Sequence, residues 1–238
     1  NLKQVALSFH NYHDVHKIFP RYNNWTGNPT SANWQGYSAF TMILPFMEQQ
    51  SVYDEIKNVS LNFYHGWNSG QCQTIRATKI AGFKCPSDSL FAATATGREN
   101  GPTCNYGVSS GASVSWSDHR VQNGMFRSDT DATRTKSTVE VSMADARDGL
   151  SNTLLASEHL SGDNDAANLM NGNSSEVRSA SPFPGGTTVQ YPTQATMDTY
   201  GAACQAITTH LSQNGAHWIS PQPTQTALNT LAPPNWKY

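Results

Sequence analysis

The segment NLKQVALSFHNYHDVHKIFP gathers groups that can bind a metal or move a proton: His10, His13 and Asp14, with His16 adjacent. Their i, i+3, i+4 spacing puts two imidazoles and a carboxylate on one helical face, a set that suits a transition metal. A structural use of the same side chains weighs more. Histidines in a last helical turn interact favourably with the negative end of the helix dipole, and an aspartate there can bond loop amides. A second group, Asp163, Asp165 and Asn168, lies beside Asn164 and just before Asn171-Gly172-Asn173. Oxygen ligands at alternate positions suit calcium, the one cofactor these residues point to. The central Gly and closing Glu of an EF-hand are absent, so a solvated turn is the simpler reading.

Glu158 and His159, with Asp145 and Asp148 upstream, offer an acid and a base. No spacing in the sequence brings these carboxylates together, and Glu158 is expected to anchor loop amides instead. A GxSxG elbow, an HExxH helix and a phosphate-binding Gly loop are all missing. The chain is therefore read as non-enzymatic. Six tryptophans (Trp25, Trp34, Trp67, Trp116, Trp218 and Trp236) sit mostly among Gly and Asn. As exposed platforms they would suit a glycan or a protein surface; as buried anchors they would pin loops.

Four cysteines, Cys72, Cys85, Cys104 and Cys204, form no CxxC pair, so a zinc knuckle is unsupported. An even count in a chain only 13% charged fits two disulfides in an oxidising compartment. Spacing does not fix the connectivity. Cys85–Cys104 with Cys72–Cys204 is the expected pairing, and four buried thiols is the alternative. A net charge of −2 with no Lys/Arg cluster excludes a nucleic-acid footprint.

The elements that must position these groups begin with a helix. Leu2, Val5, Phe9, Tyr12 and His16 recur at three- and four-residue steps, and Pro20 ends the pattern. No start signal precedes Leu2, so the segment reads as the second half of a longer helix whose apolar first half is missing. Further helices are expected over 41–56, with Pro45 in the first turn, and over 73–80. Short strands are expected at 83–85, 105–110, 124–126, 137–141 and 153–157, with a helical turn at 143–147. Asp148-Gly149 reads as a turn. Residues 161–190, dominated by Gly, Asn, Ser and Asp, read as a long surface excursion. Helices first and strands afterwards predict an α+β fold, with the first helix packed on an antiparallel sheet and long irregular loops between. One domain over 1–238 accommodates this: stem-helix end 1–20, helical and loop region 21–104, β-rich region 105–238.

Several segments together resemble one bacterial family. Asn1–Pro20 is similar to its NLKQ…HNYHD…FP helix end, and Ile43-Leu44-Pro45-Phe46-Met47-Glu48-Gln49 to its ILPyiEQ. Phe83-Lys84-Cys85-Pro86-Ser87-Asp88 resembles its FxCPSD, and Asn105-Tyr106 with Gly111 its NY…G. Asp148 to Leu155, including Asn152, together with Glu158 resembles DGxSNTLL…E, and Asn229 to Asn235 resembles NTxLPPN. The family is domain of unknown function 1559, typical of planctomycete-type bacteria and described as pilin-like or pseudopilin-like. The resemblance implies a pilin-like head and an extracytoplasmic structural or assembly subunit. Self-association, or association with other pilin-like subunits, would run through the N-terminal helix. A membrane would be met only through a missing apolar segment, and a closing segment after residue 238 is also expected. The alternative function is an extracellular carbohydrate- or solute-binding module, with calcium.

Overall fold

The apolar stripe at the start of the chain forms helix α1 (Leu2–His16), which buries Val5, Ser8 and Phe9. It ends on Lys17, whose backbone turns left-handed (φ 65°) and donates back to the His13 carbonyl. In this computed structural model, residues 1–24, 36–59, 70–88, 104–113, 120–129, 139–162, 177–178, 190–206, 210–211, 214–222 and 225–231 are described.

A short antiparallel pair, β1 (Asn23–Asn24) and β2 (Tyr37–Ser38), follows α1. The single helix expected over 41–56 is divided. Ser38 caps α2 (Ala39–Met42) by accepting from the Thr41 amide, and a 3-10 turn at Leu44–Met47 carries Pro45 at its start. Glu48 is left-handed (φ 60°), which ends the turn before α3 (Gln50–Val59). Helix α4 (Gly70–Ala77) lies three residues earlier than expected, and the strand expected at 83–85 is the exit of a 3-10 turn, Ala81–Phe83.

The principal sheet has β3 (Tyr106–Ser109) at its centre. On one side β4 (Ala156–Glu158) runs antiparallel, with Gly107 opposite Ser157. A remote pair, β5 (Val177–Arg178) with β6 (His210–Leu211), brackets helix α5 (Gln194–Gln205). On the far side of β3 lies β7 (Ala227–Leu228), parallel to it. The fold is thus α+β, with an antiparallel neighbour on one flank of β3 and a parallel one on the other. Besides 83–85, the strand expected at 124–126 does not form, and the described part of the one expected at 137–141 is not a strand. Residues 124–126 fold back on the end of β3, with Gly124 N–H donating to Ser110 and Phe126 N–H to Ser109. That approach demands two glycines: a Cβ on Gly111 (φ +93°) would meet the Gly124 nitrogen at 2.3 Å. Residues 139–141 are irregular, and Val141 accepts from the Phe19 N–H at 2.7 Å.

Aromatic rings join the helix to the rest. Phe9 is fully buried and meets Phe126 edge-on at 4.9 Å and Phe40 at 5.7 Å between ring centroids. Phe126 continues to Phe19 (5.6 Å), and Phe40 to Phe83 (5.0 Å) and then Trp218 (6.1 Å). Edge-to-face pairs add roughly 0.5–1.5 kcal/mol each to the gain from burial. Phe9→Ala removes the ring where these rows cross, and is expected to destabilise the chain by about 3–5 kcal/mol. Urea unfolding of both forms checks this: an unchanged slope with a lowered midpoint is the expected result.

Candidate functional site

Asn105, fully buried at the entry to β3, uses every polar atom it has. Its main-chain N–H donates to Phe83 (2.8 Å), and its carbonyl accepts from His159 N–H (2.8 Å). The side-chain carbonyl accepts from the Cys85 amide at 3.0 Å. The side-chain NH2 donates to Asp88 Oδ2 and to the His159 carbonyl (3.2 Å). One amide thus closes the gap between the Cys-Pro-Ser-Asp turn, the start of β3 and the segment leaving β4.

Asp88 completes the knot. Its Oδ2 also accepts from the Ser161 hydroxyl and from the Ser161 amide (3.3 Å), and Lys84 Nζ lies 3.6 Å away. The Asp88 side chain is only 3% exposed. Burial pushes its carboxyl upward, but hydrogen bonds from Ser161 and Asn105, with the Lys84 ammonium, outweigh this and hold it below the ordinary carboxylate value. His159 is lowered by burial, against hydrogen bonds that favour its charged form. Burial raises Cys104 to about 12 and also lifts Tyr106 to about 12, with Glu158 adding to the latter. The Asp88 carboxylate is committed to protein donors, so the arrangement ties three chain segments together.

A second junction seats α1. His13 accepts at Nε2 from the Met143 amide (3.2 Å), at the start of a 3-10 turn capped reciprocally by Ser142 and Asp145. His10 and His13 both turn their rings to Phe19, at 6.2 and 5.0 Å, while His16 stacks on Tyr12 at 4.2 Å. The helical face expected to offer metal ligands is used for packing. Asp14 is exposed, and its backbone carbonyl rather than its carboxylate is engaged, by Lys17 Nζ at 2.7 Å. At the other end, the Asn1 side chain donates to the carbonyls of Ala81 and Lys84, which tethers α1 to the turn that carries the knot.

Other expected residues fare differently. Asp148 and Asn152 form a local turn: Asn152 donates to the Asp148 carbonyl (2.7 Å), and Thr153 to the Asp148 carboxylate (3.0 Å). Among the described residues Glu158 anchors no loop amide. It is exposed, and its carboxylate makes no hydrogen bond among the described residues. Asp88 does that work, and the signal for it was the CPSD turn followed by the Asn-Tyr pair. The Cys85–Cys104 bridge is not formed: both thiols are free, the buried Cys104 thiol directed to the Tyr106 carbonyl and Cys85 to Ser87. The side chains of Cys72 and Cys204 lie outside the described residues, as do Asp163, Asp165 and Asn168. Among the described residues no group of three His, Cys, Asp or Glu could hold a metal ion. Trp218 is fully buried and donates to the Thr78 carbonyl at 2.9 Å, so it anchors a loop and is no surface platform. The other five tryptophans lie outside the described residues.

The profile of a family described as "Protein of unknown function (DUF1559)" matches residues 1–236. Neither a curated protein nor a solved structure matches the chain.

Asp88→Ala leaves the Asn105 amide and the Ser161 hydroxyl without their acceptor, at roughly 1–3 kcal/mol for each buried group. A loss of at least about 2 kcal/mol is expected, against less than about 0.5 kcal/mol for Glu158→Ala. Because folding lowers the Asp88 value, its contribution is complete above roughly pH 4 and is lost as pH falls through the lower folded value. Denaturant melts between about pH 2 and 6 should therefore show a steeper acid loss in the parent than in Asp88→Ala.

Proposed function

The chain belongs to the DUF1559 family, and from that membership we propose a non-catalytic, extracytoplasmic assembly subunit of the pilin or pseudopilin type. The observation that carries the reading is the division of α1 into two faces. Its inner face, with Val5, Ser8 and Phe9, is fixed to the head. Leu7, on the side away from that face, stands 57% exposed, and Val15, about 80° round from Leu7 and beyond the buried stretch towards the helix end, stands 64% exposed. Apolar side chains held outward on a rigidly seated helix suit lateral packing against other helices. The extracytoplasmic part of the proposal follows the pilin resemblance of residues 1–20. The non-catalytic part is supported by two ionisable groups engaged in structure, Asp88 with Asn105 and Ser161, and His13 with the Met143 amide.

Leu7→Asp combined with Val15→Asp tests the reading in the native bacterium. Envelope fractions should lose high-mass complexes or filaments containing this protein. The unfolding free energy of the purified variant should change by less than about 1 kcal/mol, as expected for two exposed positions. Complexes that persist unchanged would rule out assembly through this helix face.

A further inference from the structure

The ladder between β3 and β4 fixes which way each backbone group of β4 points. Ser109 N–H donates to Leu155 (3.0 Å) and His159 N–H to Asn105 (2.8 Å), so residues 155, 157 and 159 turn their polar groups towards β3. In an antiparallel ladder the intervening residues turn theirs the opposite way. Val108, opposite Ala156, shows this from the other strand: its N–H donates to Thr226, on the β7 side. Ala156 and Glu158 therefore present N–H and C=O groups on the outer edge of the sheet. Among the described residues that edge carries one weak bond, from the Ser157 hydroxyl to the Glu158 carbonyl at 3.3 Å.

Exposed strand edges are ordinarily guarded by Lys, Pro or a bulge. Between Leu154 and Glu158 the sequence is Leu-Leu-Ala-Ser-Glu, with no Lys or Pro, and the guards left are the strand's short length and the Glu158 charge. Apolar side chains surround the edge, with Leu150, Leu154 and Leu160 49%, 45% and 48% exposed. We propose that β4 pairs antiparallel with β4 of a second copy of this chain, about a two-fold axis through Ala156. The two three-stranded sheets then form one sheet of six.

The sequence is self-complementary in that register. Ala156 falls opposite Ala156 on the axis, where the smallest side chain avoids a clash at the ~5.5 Å Cα spacing of a hydrogen-bonded pair. Leu154 falls opposite Glu158 at both ends, apolar side chain against carboxylate stem. The two Glu158 carboxylates end about 13 Å apart, beyond the Debye length at physiological salt. Residues 154, 156 and 158 exchange about six main-chain hydrogen bonds with their counterparts. The interface is isologous and closes at two. It is made through the β4 edge and not through the exposed side chains of α1, so its test is separate from that of the assembly reading above.

Sedimentation equilibrium on the purified chain, from about 1 μM to several hundred μM, is expected to show a monomer–dimer equilibrium. Ala156→Lys sets two ammonium groups side by side on the axis and should raise Kd at least tenfold. Ala156→Pro removes only an outward N–H and should do the same, since proline is tolerated on an edge. Leu154→Lys gives the opposite sign: the new ammonium meets Glu158 of the second copy at both ends, so Kd should fall several-fold at low salt. That gain should vanish near 0.5 M salt, where exposed charges are screened. Because Ala156 packs partly against the core, the exposed Leu154→Lys substitution decides should either Ala156 variant fail to fold. A chain monomeric throughout overturns the proposal, and so does a dimer indifferent to Ala156→Lys. Weakening by Leu154→Lys equal to that by Ala156→Lys also overturns it, because association would then be apolar contact without this register.

Discussion

Phe9 stands where two rows of rings cross, and the rest of the molecule is arranged around that crossing. One row leads through Phe126 to Phe19, closing the loop that follows α1; the other leads through Phe40 and Phe83 to Trp218. The strands that hold the sheet are two to four residues long, too short for their ladders alone to define a fold. Packing of a single helix face therefore carries the long-range order. Rings suit this role because each brings a large buried area and a preferred geometry while losing few rotamers.

Short strands leave many backbone groups without a ladder partner, and buried groups of this kind must find one elsewhere. The composition answers that need. A chain poor in charge and rich in Asn, Gln, Ser and Thr supplies side chains that bond backbone locally. Asn105 takes the part a further strand would play, bonding the Cys85 amide on one side and the His159 carbonyl on the other. Gln122 and Gln225 act alike: Gln122 accepts from the Ser128 amide at 2.7 Å and Gln225 from His217 at 2.8 Å. Asn105 and Gln122 donate as well as accept, Gln122 to the Tyr22 hydroxyl at 2.9 Å, which an ionised carboxylate could not do.

The legibility of the sequence followed the range of the forces involved. Helix α1 was readable because one apolar stripe, a capping turn and Pro20 agree within twenty residues. The β3 strand and the helical turn at Met143–Asp145 were readable for the same reason. The break at Glu48 was not, since no residue type there signals a left-handed backbone; it closes a turn that follows the fully buried Ile43 and Leu44. Helix α5 went unread because its apolar residues are sparse, although Thr193 bonding the Thr196 amide is an ordinary capping signal. At the site, the residues were visible as motifs while their partnership was not. Asp88 and Asn105 are separated by seventeen positions, and only the fold brings them together.

Strand parity explains why one carboxylate was overvalued and another missed. A strand expected over 153–157 forms at Ala156–Glu158, and its register decides which residues face β3. Side chains and backbone groups alternate with a period of two, so neighbouring residues have opposite fates. Glu158 falls on the outward phase and stays exposed; His159 falls on the inward phase and bonds Asn105 through both its N–H and its C=O. That inward turn carries the chain on to Ser161, within reach of Asp88. A slip of one residue would send Glu158 into the knot beside Asp88, two carboxylates against one Lys84, and would turn the His159 backbone out to solvent. Electrostatics and the Asn105 amide thus select one phase of β4, and that choice turns the Ala156 and Glu158 backbone groups to the outer side of the sheet.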